Sequence, residues 1–261
     1  MIELHESDRA RIYDYIAAEP EMNQFIYGDV ESFGVEGGPV TMWALPGTGD
    51  AWDGVLLRYM DYYLFYSQRA DFDVRAAAAF LKARKVECLS GKLEILRRFA
   101  PFFPEAVLRP MYMCRCNRAV ENVAVPAGMT IRRLEEADVD AYLELMTGVA
   151  EFAANYSSVS LEKRKGETLV NMRSGGMIYG VFDEKGRMVS TASTSGANRQ
   201  SAMIVGVATR EDFRGRGCAS AAVANLCADS LRAGRKFLCL FYDNPAAGRI
   251  YHRVGLDEVG E

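Results

Sequence analysis

The chain has 261 residues, enough for one large domain or two small ones, and its 49% apolar and 25% charged content is that of a chain that can bury a core. The net charge of -4 argues against a general nucleic-acid binder. No apolar run reaches membrane-spanning length and the N-terminus has no signal-peptide core, so the expectation is a cytoplasmic protein with reduced thiols and no membrane or nucleic-acid partner. The six cysteines form no CxxC pair and only two histidines are present, so a metal site finds no support.

In chain order, Ser7 or Asp8 can cap a helix whose Ile12, Tyr15 and Ile16 share a face. A second helical stretch, 21–33, carries Met22, Phe25, Ile26 and Val30. Strand-like runs at 40–45, 53–60 and 62–67, separated by "PGTGD" and Asp61, predict a meander. Its aromatics (Trp43, Tyr59, Tyr62, Tyr63, Phe65) read as core and packing surface rather than a ligand box. Asp71 or Asp73 opens a helix through "AAAAFLKAR", followed by a strand at 86–90 and a helix at 92–99 that ends at Pro101 and Pro104. "AVLRPMYMCRC" then closes the first half, residues 1–116, as its last strand.

"NRAVENVAVPAG" (117–128) predicts a linker, and 129–261 a second domain. It starts with a strand at 129–134, a helix at 135–149 through Leu143 and Met146, and a helix at 160–173 capped by Ser160. A second meander, 177–183, 187–196 and 201–209, precedes a helix (217–233), a strand (236–241), a helix (about 245–254) and the stub "LDEVGE". The two halves share element order but not residues, which predicts a duplicated α+β fold, each half a mixed, mostly antiparallel sheet flanked by helices.

The stretch that stands out is "TREDFRGRGCASAA" (209–222). A helix N-terminus carries amides with no partner inside the helix and partial positive charge. Gly215 and Gly217 let backbone approach an anion, Arg214 and Arg216 add charge, and the small Ala219, Ala221 and Ala222 let the helix pack closely; a phosphate or diphosphate is the natural ligand. A P-loop needs Lys followed by Ser or Thr, and Cys218-Ala219 stand there instead. The dinucleotide fingerprint is nearly met by Gly215, Gly217 and Ser220, with Asp243 where a ribose-binding acid could lie, but the 18 residues after Asp243 cannot complete a doubly wound sheet. A glycine turn with surface arginines is the plain alternative.

Arg214-Gly-Arg-Gly-Cys-Ala219 resembles R/Q-x-x-G-x-G/A, the acetyl-CoA diphosphate loop of the GNAT superfamily of N-acetyltransferases. About 27 residues on, "NPAAGRIYHRVGL" (244–256) resembles the family's second signature, with Leu256 for the usual Phe. The resemblance covers 129–261; the first half, with "SQRADFDVRAAAAF" in place of the loop, resembles the family only in layout, as a degenerate GNAT-like domain. It implies that the backbone of Val207, Ala208 and Thr209 pairs with the pantetheine arm, that the amides of Arg214, Gly215, Arg216, Gly217, Cys218 and Ala219 hold the diphosphate, and that Asn244 and Ala247 flank the pantetheine.

Tyr251 would donate a proton to the leaving thiolate, its phenol being protonated at neutral pH. Glu151 in "VAEFAANYS", placed at the end of the first helix of the second half, is the candidate to bind or deprotonate the amine, against a solvated helix-end glutamate. Ser193 and Ser195 could line the acceptor cleft; His252 points elsewhere, and Cys218 is read as packing rather than nucleophile. The resemblance thus implies direct transfer from acetyl-CoA, as cosubstrate, to a primary amine of a small molecule, with a homodimer allowed. A CoA-binding sensor without turnover and a nucleotide-binding oxidoreductase stay open beside it. GNAT folds usually continue through two more strands after the second signature and this chain stops within the first, so either the first half or a partner completes the sheet, or the end is unusually short.

Overall fold

The computed structural model describes residues 1–120 and 123–261, so Glu121 and Asn122 of the expected linker lie outside the described residues. The chain divides into two compact units, residues 1–112 with 260–261, and 113–259.

The first unit is built on a five-stranded sheet, β1 (Ile2–Leu4), β2 (Val40–Pro46), β3 (Trp52–Tyr59), β4 (Tyr62–Tyr66) and β5 (Cys88–Ser90), in that order. Only β4 and β5 run parallel; the meander is antiparallel as its turn signals demand. Alternation puts Val40, Met42 and Ala44 against α1 (Arg9–Ile16) and α2 (Gln24–Phe33), which contribute Ile12, Ile16, Ile26 and Val30. Trp43, Leu45 and Phe65 face α3 (Val74–Lys82) and α4 (Leu93–Phe99). Trp43, Tyr63 and Phe65 are core as expected, whereas Tyr62 is exposed. β1 has no counterpart in the sequence reading: three residues carry no periodicity, and they form a strand because they pair with Met42–Ala44.

The second unit holds a seven-stranded sheet: β7 (Thr130–Arg133), β8 (Ile178–Phe182), β9 (Met188–Ser195), β10 (Ser201–Thr209), β11 (Phe237–Tyr242), β6 (Tyr112–Cys116) and β12 (Asp257–Gly260), from edge to edge. Tyr179 and Val181 of β8 face α8 (Cys218–Arg232), while Ile178 and Phe182 face α5 (Val139–Gly148). Two helices, α6 (Ala150–Ser157) and α7 (Leu161–Arg173), lie on the α5 side, and α9 (Pro245–Arg253) follows β11.

Two expectations are corrected here. The strand assigned to the close of the first half is β6, and it sits in the second sheet between β11 and β12, with Cys114 and Cys116 fully buried in that core. It thereby separates β11 from β12 in the sheet. The helix expected over 135–149 ends at Gly148; Val149 is extended (φ -97°, ψ 118°) and a separate α6 follows, so Glu151 stands in the first turn of its own helix, not at the end of the previous one.

Candidate active site

The site begins with a strand that parts from its neighbour. β10 pairs in parallel with β11 from Ser201↔Phe237 to Met203↔Cys239, and the pairing ends there. On its other edge β10 pairs with β9 on both sides of a bulge between Val205 and Ala208. Gly206 sits in the bulge at φ +59°; a Cβ there would lie 2.9 Å from Ser193 Oγ and 3.3 Å from the Tyr142 hydroxyl. The Ser193 hydroxyl donates to the Val205 carbonyl at 3.0 Å, and Ser190 donates to the Ala208 carbonyl at 2.9 Å, fixing the bulge from the β9 side. Val205, Gly206, Val207 and Thr209 are the accessible part of an otherwise buried strand.

After Thr209 the chain makes a single 3-10 turn (211–213) and enters the glycine loop. Gly215 and Gly217 have φ of +74° and +91°, and a Cβ on Gly215 would meet nothing within 4 Å; backbone conformation, not crowding, requires glycine. Gly217 is the N-cap of α8 and gives it no side-chain cap. Among the described residues, the amides of Gly215, Arg216 and Gly217 meet no acceptor from the chain, and those of Cys218, Ala219 and Ser220 open a helix and have none within it. Six consecutive donors thus stand at the positive end of a 15-residue helix.

The arginines brace the loop. Arg216 donates to the Asp212 carbonyl at 2.8 Å and covers the Phe213 ring. Arg214 Nε donates to the Thr209 carbonyl at 3.2 Å, and its Nη2 donates to Glu151 Oε2 at 2.8 Å. That hydrogen bond holds the Glu151 carboxyl below the usual glutamate range. Cys218 is buried, and burial pushes its thiol up, which suits packing and not a thiolate nucleophile.

On α9, Asn244 is the N-cap, its Oδ1 accepting from the Ala246 amide at 2.9 Å. Asn244, half-buried Ala247 and Tyr251 are three and four residues apart in turn and share a helix face. Tyr251 is buried beside the Tyr242 ring, and burial pushes its phenol up to about 12. Among the described residues no hydrogen bond from its hydroxyl is found, and the hydroxyl is not one of the fully enclosed unpartnered polar atoms. His252 instead contacts the Tyr242 hydroxyl, Glu258 and the Leu256 carbonyl, turned away as its place next to Tyr251 predicts.

The bulge is faced from α5 and α6 by two residues the sequence reading missed. The hydroxyls of Tyr142 and Tyr156 are 2.9 Å apart, and burial drives the Tyr142 phenol far above its ordinary value. The guanidinium of Arg164 on α7 lies over the Tyr156 ring. The structure therefore joins Thr209, Arg214 and Glu151 directly, while no hydrogen bond links Glu151 to Tyr251 among the described residues. Ser193 is spent on the bulge; Ser195 lies at the half-buried end of β9. A separate cavity of about 430 Å³, lined by Arg133, Leu134, Met172, Arg173 and Gly176 among others, includes none of these residues.

Residues 130–259 match the family model of the acetyltransferase (GNAT) domain. The second unit is a GNAT domain. Solved structures extend the likeness over the whole chain. A Drosophila protein solved as a structural-genomics target superposes with TM-score 0.66 at 13% identity, covering 99% of this chain and 95% of that one. A GCN5-related N-acetyltransferase from Sphaerobacter thermophilus gives 0.62 at 16% identity, over 99% and 92%. A tandem GNAT protein from the clavulanic acid biosynthesis pathway gives 0.59 at 15% identity, over 98% and 94%. At these identities the likeness is one of fold, and it makes the chain a tandem arrangement of GNAT folds. No curated protein matches it by sequence. Among the described residues no helix is long and apolar enough to cross a membrane.

Proposed function

We propose that the GNAT domain, residues 129–261 completed by the strand at 112–116, is an N-acyltransferase that moves an acetyl group from acetyl-CoA to a primary amine of a small molecule. The observation that supports this most is the uncapped N-terminus of α8 behind Gly215 and Gly217, next to a strand that has parted from β11. The residues fit the group, with one correction: the Arg214 amide donates to the Glu211 carbonyl at 3.2 Å, so the amides from Gly215 to Ala219 would hold its diphosphate, and the free edge of Val207, Ala208 and Thr209 would take the amide-bearing pantetheine arm, with Asn244 and Ala247 on the other side. The cofactor supplies the activated thioester. Tyr251, which keeps its proton at neutral pH, would donate that proton to the departing thiolate. Glu151 would bind the amine and accept its proton, and the Tyr142–Tyr156 pair would line the acceptor's path.

One observation favours a second reading, a CoA-binding protein without turnover: Glu151, the candidate base, is engaged by Arg214 and its basicity is lowered. Calorimetry with coenzyme A, with NAD as a control, tests the cofactor site. Thiol release from acetyl-CoA over a panel of small amines separates enzyme from sensor. Binding with release supports the transferase; binding without release for any amine supports the sensor; binding of NAD alone refutes both.

A further inference from the structure

The Glu151–Arg214 pair joins the element that would face the acceptor to the loop that would hold the cofactor. α6 contributes no buried residue to the core. It is held by half-buried Phe152 and Tyr156 against the core of its unit and by a few polar contacts: Glu151 on Arg214, the Tyr156 hydroxyl on Tyr142, and Asn155 under Arg164. The neighbouring cation, Arg210, is no substitute partner, because Glu144 occupies it at 2.8 Å and its Nε donates to the Met188 carbonyl. Arg214 and Glu151 are both about half exposed, so their attraction is weak and can be exchanged for a better one.

Building on the cofactor reading above, we propose that Arg214 serves Glu151 and the cofactor diphosphate in turn, so that cofactor binding releases the Glu151 carboxylate to the acceptor amine. A diphosphate carries more charge than one carboxylate and is gripped by the loop amides at the same time, so it wins the guanidinium. Glu151 then loses the partner that lowers its basicity just when an amine must be bound and deprotonated. The bond at Arg214 is thus a latch: α6 is tied down in the free protein and untied once the diphosphate is in place. Arg214 is a positioning residue for Glu151 in this scheme, and the amine site is completed only on the cofactor-bound protein.

The test uses the full chain and coenzyme A, with pantetheine as a probe that lacks the diphosphate. The controls are Glu151→Gln and Glu211→Gln; Glu211 lies in the 3-10 turn just before the loop. A competitor for Arg214 that is removed should tighten coenzyme A binding about 2- to 5-fold in Glu151→Gln. Glu211→Gln should leave it almost unaltered, and pantetheine should bind wild type and Glu151→Gln alike. Coenzyme A should also speed amide exchange over 150–157 in the wild type and add nothing in Glu151→Gln. Equal or weaker coenzyme A binding by Glu151→Gln, or the same gain from Glu211→Gln, would overturn the latch while leaving the cofactor site intact. Absence of any coenzyme A heat in the wild type would instead remove the cofactor reading, and the latch with it.

Discussion

Gly206→Ala tests whether the bulge in β10 is as tightly determined as its surroundings indicate. At φ +59° an L-residue pays about 1–2 kcal/mol relative to an ordinary conformation. The new Cβ would stand 2.9 Å from Ser193 Oγ, so the hydroxyl must turn and give up its 3.0 Å bond to the Val205 carbonyl, worth about 1 kcal/mol. The smaller entropy of the unfolded Ala chain offsets about 0.4–1 kcal/mol. The sum is a loss of about 2 kcal/mol, read in urea unfolding or as a fall of about 4–8 °C in the Tm of the second unit. Ser193→Ala removes both the obstacle and the bond, so the double variant should be less unstable than the sum of the singles by about 1 kcal/mol. An unfolding free energy for Gly206→Ala within about 0.5 kcal/mol of wild type, or strict additivity with Ser193→Ala, would refute the reasoning.

Three further outcomes follow from the site. Gly217→Asp keeps a residue that tolerates positive φ but places a carboxylate at the α8 amides, and should weaken coenzyme A binding by at least about tenfold in calorimetry without unfolding the domain. Tyr251→Phe should lower kcat by about a hundredfold with little change in coenzyme A affinity. Because burial raises the Tyr251 phenol to about 12, the folded state prefers it neutral: the group gives no fall in wild-type activity between pH 6 and 10, and its contribution to stability is lost only as pH rises from about 10 through that value. Asp73→Ala removes the side chain that accepts from the Arg75 and Ala76 amides at 3.0 and 3.1 Å, and should cost the first unit about 1 kcal/mol in urea unfolding while leaving coenzyme A binding unaltered.

Much of this could be read along the chain because it is local. The two meanders are runs rich in β-branched, aromatic and other apolar residues set between Gly, Pro and Asp turns, and the glycine loop with its two arginines lies within a dozen residues. What escaped is set by distant partners. The strand at 112–116 was legible as a strand, but its sheet neighbours are β11 and β12, more than a hundred residues later, and nothing in "MYMCRC" names them. The break at Val149 has no Pro or cap to announce it, so α6 merged with α5 and Glu151 was misplaced. Tyr142 sits among Leu143 and Met146 on the buried face of α5 and looks like any core aromatic; only the structure turns its hydroxyl to Tyr156 and the bulge. Gly206 did carry a signal, being a lone glycine inside a β-branched strand, and that signal marks a bulge.

The two halves also show how one fold position fills its helix-end amides or leaves them open. In both, an Asp-Phe pair ends the stretch after the third meander strand: Asp71-Phe72 and Asp212-Phe213. Both phenylalanines pack on their unit's core. α3 begins two residues after Phe72, whereas α8 begins five after Phe213, the difference being the room taken by the glycine loop. At the shorter turn Asp73 folds its carboxylate onto the first amides of α3, so the donors are satisfied and the charge at that helix end is negative. At the longer one a glycine in the left-handed region caps α8, and among the described residues its first amides meet no acceptor. A diphosphate brought to α3 would meet a carboxylate across filled donors, and one brought to α8 would meet open donors flanked by two guanidinium groups. The difference between filled donors at α3 and open donors at α8 therefore follows from the length of one turn and the identity of one capping residue, with both sheets kept.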